Sequence, residues 1–316
     1  MENNIEVSIL CITYNQKSYI KDALDSFLMQ KTNFNYEILV NDDASTDGTT
    51  EILKEYEARY PRKLRVCYHE ENCYSRGISP TGFIYAMARG KYFAFCEGDD
   101  YWTCPDKLQR QYDAMEKHPE CDMCAHAANM VKADSKEVIS VIDPLGRDGI
   151  LTMRQVILGG GNYMATNSLF YRRELQDSVK EYQRICHLDY AMQMRGASRG
   201  GILYLSENMS SYRRGAENSW TVRMAKNPSI MIEHIKLMFR VLELVDEDTA
   251  YQYADAIAEE KSKYEFQLAT LQGNGKKVYD KRYRKIRKEL PWKNRLVIFL
   301  QCYMPWIVKI WKKTKE

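Results

Sequence analysis

Apolar and polar positions in the first hundred residues alternate between two periods. Residues 7–12 form a short apolar run of the kind a buried strand requires, and polar Thr13-Tyr14-Asn15 follows it. From about residue 18 to residue 30, Ile20, Ala23, Leu24, Phe27 and Leu28 recur at spacings of three and four, which places them on one face of a helix. A second apolar run at residues 37–40 ends in Asn41-Asp42-Asp43, and Ser45, Thr46 or Asp47 can cap a helix that carries Ile52, Leu53 and Tyr56. Residues 64–68 read as a third strand, 82–88 as a third helix and 92–96 as a fourth strand. Strands separated by helical stretches imply βαβ units with right-handed crossovers. The expectation is an α/β fold with a Rossmann-like, mostly parallel central sheet flanked by helices.

No Gly-x-Gly-x-x-Gly follows the first strand, so the dinucleotide fingerprint is absent. Three strand ends carry polar side chains instead: Thr13-Tyr14-Asn15, Asp42-Asp43, and Glu97-Gly98-Asp99-Asp100-Tyr101-Trp102. In open α/β sheets the ligand crevice lies outside the carboxyl ends of the strands. The last motif crowds three carboxylates into four residues. Such charges repel unless something positive joins them, and a hard cation such as Mg²⁺ or Mn²⁺ takes carboxylate oxygens together with water and phosphates. A solvated acidic turn is the alternative, and the polar ends of the other two strands weigh against it.

At 316 residues, with 45% hydrophobic and 28% charged positions, the chain can hold one large α/β domain plus an appendage. Its nine cysteines are odd in number and several fall in strand-like runs. No basic-then-apolar leader opens the sequence, so reduced thiols in a cytoplasmic protein are expected. Cys121 and Cys124 with His118 and His126 nearby have the look of half a zinc site, but a second pair is missing and strand thiols explain them better.

The net charge of +3 hides an asymmetry, because residues 276–316 hold 14 Lys/Arg against 3 Asp/Glu. The apolar stretches Leu296-Val297-Ile298-Phe299-Leu300 and Tyr303-Met304-Pro305-Trp306-Ile307-Val308 lie among Lys293, Arg295, Lys309, Lys312 and Lys313. They are too short and too broken by Pro305 for a span of about 20 residues. A segment lying on an anionic membrane surface is expected rather than a nucleic-acid partner, with Trp292, Trp306 and Trp311 at the interface. A terminal helix packed on the protein or on a second subunit, giving a homo-oligomer, is the alternative.

Cys11-Ile12-Thr13-Tyr14-Asn15, then residues 40–49 from Val40-Asn41-Asp42-Asp43 to Asp47-Gly48-Thr49, then Glu97 to Trp102, resemble the three successive signatures of family 2 glycosyltransferases with the GT-A fold. Residues 102–111 extend the likeness to bacterial enzymes that build surface polysaccharides such as capsule and lipopolysaccharide. The resemblance is close over about residues 5–130, thin to about 222, and silent on the tail. It implies a glycosyltransferase domain over 1–225, with a nucleotide-sugar half to about 130 and an acceptor half to 225. Residues 226–316 would then form a helical C-terminal region with the basic amphipathic tail.

The resemblance also implies roles. Thr13 and Tyr14 would line the base pocket, Asn15 would belong to the same nucleotide site, and Asp43 would accept the imide N–H that uracil and thymine carry, favouring UDP- or dTDP-sugars. Arg76 loosely matches a basic nucleotide contact. Asp99 would touch ribose or donor sugar, and Asp100, with Glu97 in place of the commoner Asp, would hold Mn²⁺ or Mg²⁺. Asp189 in His187-Leu188-Asp189-Tyr190 would be the catalytic base, with a helix cap as the alternative reading and His187 as a rival. Trp102, Asn167, Arg213, Arg214 and Trp220 would belong to the donor, phosphate or acceptor loops, with Gly215 near the place where many relatives carry His. Together these imply an inverting, metal-dependent transferase, cytoplasmic and peripheral on the inner membrane face, acting on a glycan or lipid-linked acceptor. A nucleotidyltransferase would share the crevice but calls for a glycine-rich basic loop after the first strand. A non-catalytic sugar-nucleotide-binding module would have no need of the four carboxylates Asp43, Asp99, Asp100 and Asp189.

Overall fold

The computed structural model describes residues 4–186, 188–217, 219–304 and 306. The chain divides into two compact units, the first ending at Val222 and the second beginning at Arg223.

The first unit is built on one ten-stranded sheet. In chain order its strands are β1 (Ile5–Thr13), β2 (Asn35–Asp42), β3 (Leu64–Tyr68), β4 (Tyr92–Phe95), β5 (Tyr101–Trp102), β6 (Met123–Lys132), β7 (Val138–Ile142), β8 (Gly149–Leu151), β9 (Phe170–Arg172) and β10 (Ile202–Arg214). The spatial order is β3-β2-β1-β4-β9-β6-β10-β5, with β7 on β6 and β8 on β10. β3, β2, β1 and β4 are mutually parallel, linked by the helices Ile20–Leu28, Thr49–Arg59 and Thr81–Met87. Here the βαβ pattern of the sequence holds. Beyond β4 the sheet is mixed: β9 runs antiparallel to both β4 and β6, while β10 is parallel to β6 and antiparallel to β5 and β8. A three-residue strand such as β9, entered from a turn, needs no helical crossover to reach its place.

Val7, Ile9 and Cys11 of β1, Ile38 and Val40 of β2, and Ala94 of β4 share one core with Ala23, Leu24 and Phe27 of the first helix. Burial of both faces explains why these strands read as near-continuous apolar runs. All nine cysteines are free thiols. Cys121 donates to the Gly200 carbonyl at 3.5 Å, and the amide of Gln111 lies 3.7 Å from the Cys124 sulfur, so both serve as strand-packing residues.

The second unit is helical, with Pro228–Asp248, Ala254–Leu271, Arg284–Glu289 and Trp292–Tyr303 its main helices. Phe266, Ala269, Val278 and Tyr283 form its core with Ile286, Leu290, Ile298 and Cys302 packed around them. Among the described residues no helix is long and apolar enough to cross a membrane. Residues 307–316 of the tail, including Trp311 and the last lysines, lie outside the described residues, as does Pro305.

Candidate functional site

Thr13 at the end of β1 stands opposite Asp42 at the end of β2, and β4 lies parallel on the other side of β1 with Ile9 opposite Ala94. The three polar strand ends therefore open on one edge of the sheet. The Gly98 N–H donates to the Ile12 carbonyl at 3.0 Å, which presses the acidic turn onto the end of β1. A Cβ at Gly98 would lie 2.5 Å from Gln16 Oε1 and 2.8 Å from Thr13 Oγ1, so only glycine allows this approach. Thr13 Oγ1 donates to Gln16 Oε1 at 2.7 Å, and the Gln16 side chain also bonds the Asp99 carboxylate.

The loops after β1 and β2 are zipped together. The N–H groups of Asn15, Gln16 and Lys17 each donate at 2.9 Å, to Ser45 Oγ, Thr49 Oγ1 and Asp47 Oδ2 respectively. Asn15 has a left-handed φ of 51°, which Asn tolerates, and its Oδ1 accepts from the Thr46 N–H at 2.7 Å. Asn15 thus helps shape the loop through its Oδ1, and Tyr14 beside it is exposed. Buried Asp43 accepts the Cys73 N–H at 2.6 Å and the Tyr74 N–H at 3.1 Å, one on each carboxylate oxygen. It orders the turn that carries Arg76, and Arg76 points to solvent, paired with exposed Glu71 at 2.6 Å.

Asp100 is the most enclosed of the three acids in the turn after β4. Its Oδ1 accepts the Arg213 N–H at 2.7 Å and its Oδ2 accepts the Asn167 amide at 2.9 Å. Arg213 is not on a loop but near the end of β10, with its guanidinium 1% exposed. That group pairs with Asp22, donates to the Asp99 carbonyl at 2.5 Å and lies over the rings of Tyr19 and Tyr101. The protein itself occupies it, so the expected phosphate contact does not fall to Arg213. Its neighbour Arg214 is exposed, and its guanidinium has no acceptor among the described residues. Trp220 is partly exposed at the start of the helix Trp220–Lys226. Trp102 departs from expectation in the other direction. It is a core residue, its Nε1 donating to the Asn167 carbonyl at 2.9 Å and its ring packed on Phe27.

Asp189 opens the helix Asp189–Ala197 as its first helical residue, the cap position falling to Leu188. Its Oδ2 accepts from Thr166 Oγ1 at 2.7 Å. Burial pushes its pKa up to about 6, against the pull of the Thr166 hydroxyl and the Tyr190 N–H. Glu97 is pushed up to about 8 by burial, then by the charges of Asp99 and Asp189, so the acidic turn and Asp189 feel each other. Burial, then Asp99 and Glu97, raise Asp100 well above the carboxylate range, and burial raises Asp99. His187 and Asn218 lie outside the described residues.

Among the described residues no three His, Cys, Asp or Glu side chains form a closed metal cage. The donor set nevertheless suits a hard divalent cation. Glu97 has no side-chain hydrogen-bond partner among the described residues, and Asp100 keeps a free lone pair on each oxygen. A cation held by one or two carboxylates and completed by water and phosphate needs no more. Two residues that pattern reading left without roles belong here. Thr166 holds Asp189, and Gln16 holds Asp99; neither lies in a charged motif that would mark it.

Fold and site together define a GT-A protein, with a nucleotide-type crevice at the carboxyl end of a parallel half-sheet. The family model for glycosyl transferase family 2 matches residues 8–199, and the chain belongs to that family. An uncharacterized protein of Mycobacterium tuberculosis is 38% identical over 216 residues, covering 68% of this chain and 60% of the relative. The chain thus spans 60% of the length of the mycobacterial relatives it matches. TuaG of Bacillus subtilis, named for teichuronic acid biosynthesis, is 38% identical over 109 residues, 34% of this chain and 41% of that protein. The crystal structure of Staphylococcus aureus TarS 1–349 shares the fold with a TM-score of 0.62 at 18% identity, covering 95% of this chain and 81% of that one. The same protein in complex with UDP-GlcNAc matches with a TM-score of 0.60 at 18% identity, over 94% and 78% of the two chains.

Proposed function

We propose that this protein transfers a sugar from a UDP- or dTDP-sugar to a hydroxyl of a glycan or lipid-linked acceptor, with inversion, in bacterial surface polysaccharide synthesis, while held on the inner membrane face. Family membership, the fold shared with a protein that has been crystallised with UDP-GlcNAc, and the likeness to TuaG support this reading. The observation that carries it is the placing of two carboxylates by one turn: Thr166 binds Asp189 and Asn167 binds Asp100.

In this reading Asp189 Oδ takes the proton of the acceptor hydroxyl as that oxygen bonds to the anomeric carbon. The bond from that carbon to the diphosphate oxygen breaks, and the nucleoside diphosphate leaves with the electron pair. One base and one displacement give inversion, through a carbon with oxocarbenium character as in glycoside hydrolysis. A pKa of about 6 keeps Asp189 ionised at neutral pH and still basic enough to share a proton. Asp100 and Glu97 would hold Mn²⁺ or Mg²⁺, which supplies Lewis-acid stabilisation of the leaving diphosphate. Arg214 would meet a phosphate oxygen by a charge-assisted bond. Thr13, Tyr14 and Asp43 line the base end, where the second lone pair of an Asp43 oxygen can accept an imide N–H.

Calorimetry with UDP, dTDP, GDP and CDP, with Mn²⁺ and with chelator, tests the donor half. Tightest binding to UDP or dTDP that weakens with chelator is expected. Tightest binding to GDP, indifferent to chelator, would overturn it.

A further inference from the structure

The second unit contains a cavity of about 200 Å³ lined by Arg284, Arg287, Lys288 and Arg295 with Tyr279 and Ile298. That is below the range of about 300–1,000 Å³ usual for drug-sized ligands and suits a headgroup-sized anion. Arg287 forms a fixed wall, donating to the Val278 carbonyl and, at 3.0 Å, to the Asp280 carbonyl, with its guanidinium against the Tyr279 ring. The charged ends of Arg284, Lys288 and Arg295 have no acidic partner among the described residues. Between Lys281 and Tyr303 the sequence holds eight Lys/Arg and a single acid, Glu289. Like charges gathered around one hollow repel unless an anion joins them.

The helix Trp292–Tyr303 contributes Arg295 and Ile298 to that cavity. Ile298 and Cys302 pack on the core of the unit. At spacings of three and four along the same helix, Trp292, Leu296, Phe299 and Tyr303 form a second stripe, exposed at 64%, 49%, 43% and 53%. Arg295 is three residues after Trp292 and four before Phe299, so it borders this apolar stripe on the side of the cavity. A phosphate bound by Arg295 would therefore sit beside an apolar ridge, which is the order of groups at a bilayer surface: headgroup, then acyl boundary.

We propose that this cavity is a binding site for the phosphate headgroup of an anionic membrane lipid, with the Trp292, Leu296, Phe299 and Tyr303 stripe lying in the interface beside it. The proposal deepens the membrane-attachment part of the functional reading and is independent of the transfer chemistry. The charge complementarity and the adjoining apolar stripe select a lipid over a free anion, which has no use for the stripe.

The test is co-sedimentation of the full chain with phosphatidylcholine vesicles, with and without phosphatidylglycerol, at low and high salt. Wild type binds the anionic vesicles, and binding weakens with salt without vanishing. R284Q/K288Q/R295Q loses binding on the order of 10²-fold while its thermal melt stays near wild type. L296S/F299S loses the part that survives high salt. Equal binding by the triple variant, with wild type still bound, overturns the headgroup site and leaves attachment standing. No binding of wild type to anionic vesicles overturns both. Displacement of bound vesicles by millimolar inorganic phosphate marks a free-anion site and overturns the lipid. Self-association abolished by L296S/F299S, without vesicle binding, marks a subunit interface instead.

Discussion

The side-chain amide of Asn167 lies 2.9 Å from Asp100 Oδ2, and this bond joins the acidic turn after β4 to the segment that precedes β9. Asn167 is fully buried, and its other contacts leave it no freedom: Nδ2 also donates to the Ser211 carbonyl at 3.0 Å, and Oδ1 accepts from Ser210 Oγ at 2.6 Å. Asn167→Leu removes the donor and leaves buried oxygens unpaired, a loss of about 1–3 kcal/mol. Because the residue orients Asp100, nucleotide affinity in Mn²⁺ should fall by about 10- to 100-fold. Thermal melts and calorimetry with UDP check the two effects separately.

Thr166 acts on the other carboxylate. Its hydroxyl stabilises ionised Asp189, so it lowers a pKa that burial has raised to about 6. A base works when deprotonated, so the rate should fall as pH drops through about 6 in the wild type. Thr166→Val keeps the shape and removes the donor, so the acid limb of the kcat profile should move to higher pH. Thr166→Ser should restore it. Measured pH–rate profiles of the three proteins decide this.

Adjacent arginines should behave oppositely. Arg213 is buried against Asp22 and the Asp99 carbonyl, and Arg213→Met leaves that carbonyl without its side-chain donor and Asp22 with Lys136 alone. A stability loss of about 1–3 kcal/mol is expected, from the buried carbonyl left unpaired and the lost packing on Tyr19 and Tyr101. Arg214→Gln should leave the denaturation midpoint within about 0.5 kcal/mol of wild type, since its side chain is exposed. It should weaken UDP binding instead. Urea titrations paired with calorimetry separate the two.

Lys107 is wholly buried, its Nζ 2.7 Å from Gln111 Oε1 and 3.9 Å from the centre of the Trp102 ring. Burial pulls its pKa down from 10.5 to about 7. The unfolded chain therefore binds a proton that the folded chain refuses, and stability should drop as pH falls from about 10.5 towards 7. Lys107→Met should flatten that part of the stability curve, as measured by denaturant titration at several pH values.

The parallel half of the fold was legible because burial on both faces writes strands as continuous apolar runs. The mixed half was not, since β5, β8 and β9 are two or three residues long and carry no period. Candidate acids at strand ends were visible as clustered charge. The depth of each side chain was not: Trp102 and Arg213 look like loop residues in the sequence, yet both sit in the interior. Nor does the sequence show that the Asn15 side-chain oxygen ties its loop to the one after β2. Thr166 and Gln16 act through side-chain hydrogen bonds to residues distant in the sequence or outside any charged motif, and such bonds leave no trace in composition or spacing.

In the proposed reaction Asp189 takes the acceptor proton as the sugar is transferred. The direct measurement is the rate of UDP release by Asp189→Asn from a panel of UDP-sugars, with bacterial lipid extract as acceptor, beside the UDP affinity of the same variant. The amide keeps the shape and cannot take a proton, so release should fall on the order of 10²-fold or more while affinity stays near wild type. Undiminished release by Asp189→Asn would remove Asp189 from the role of base.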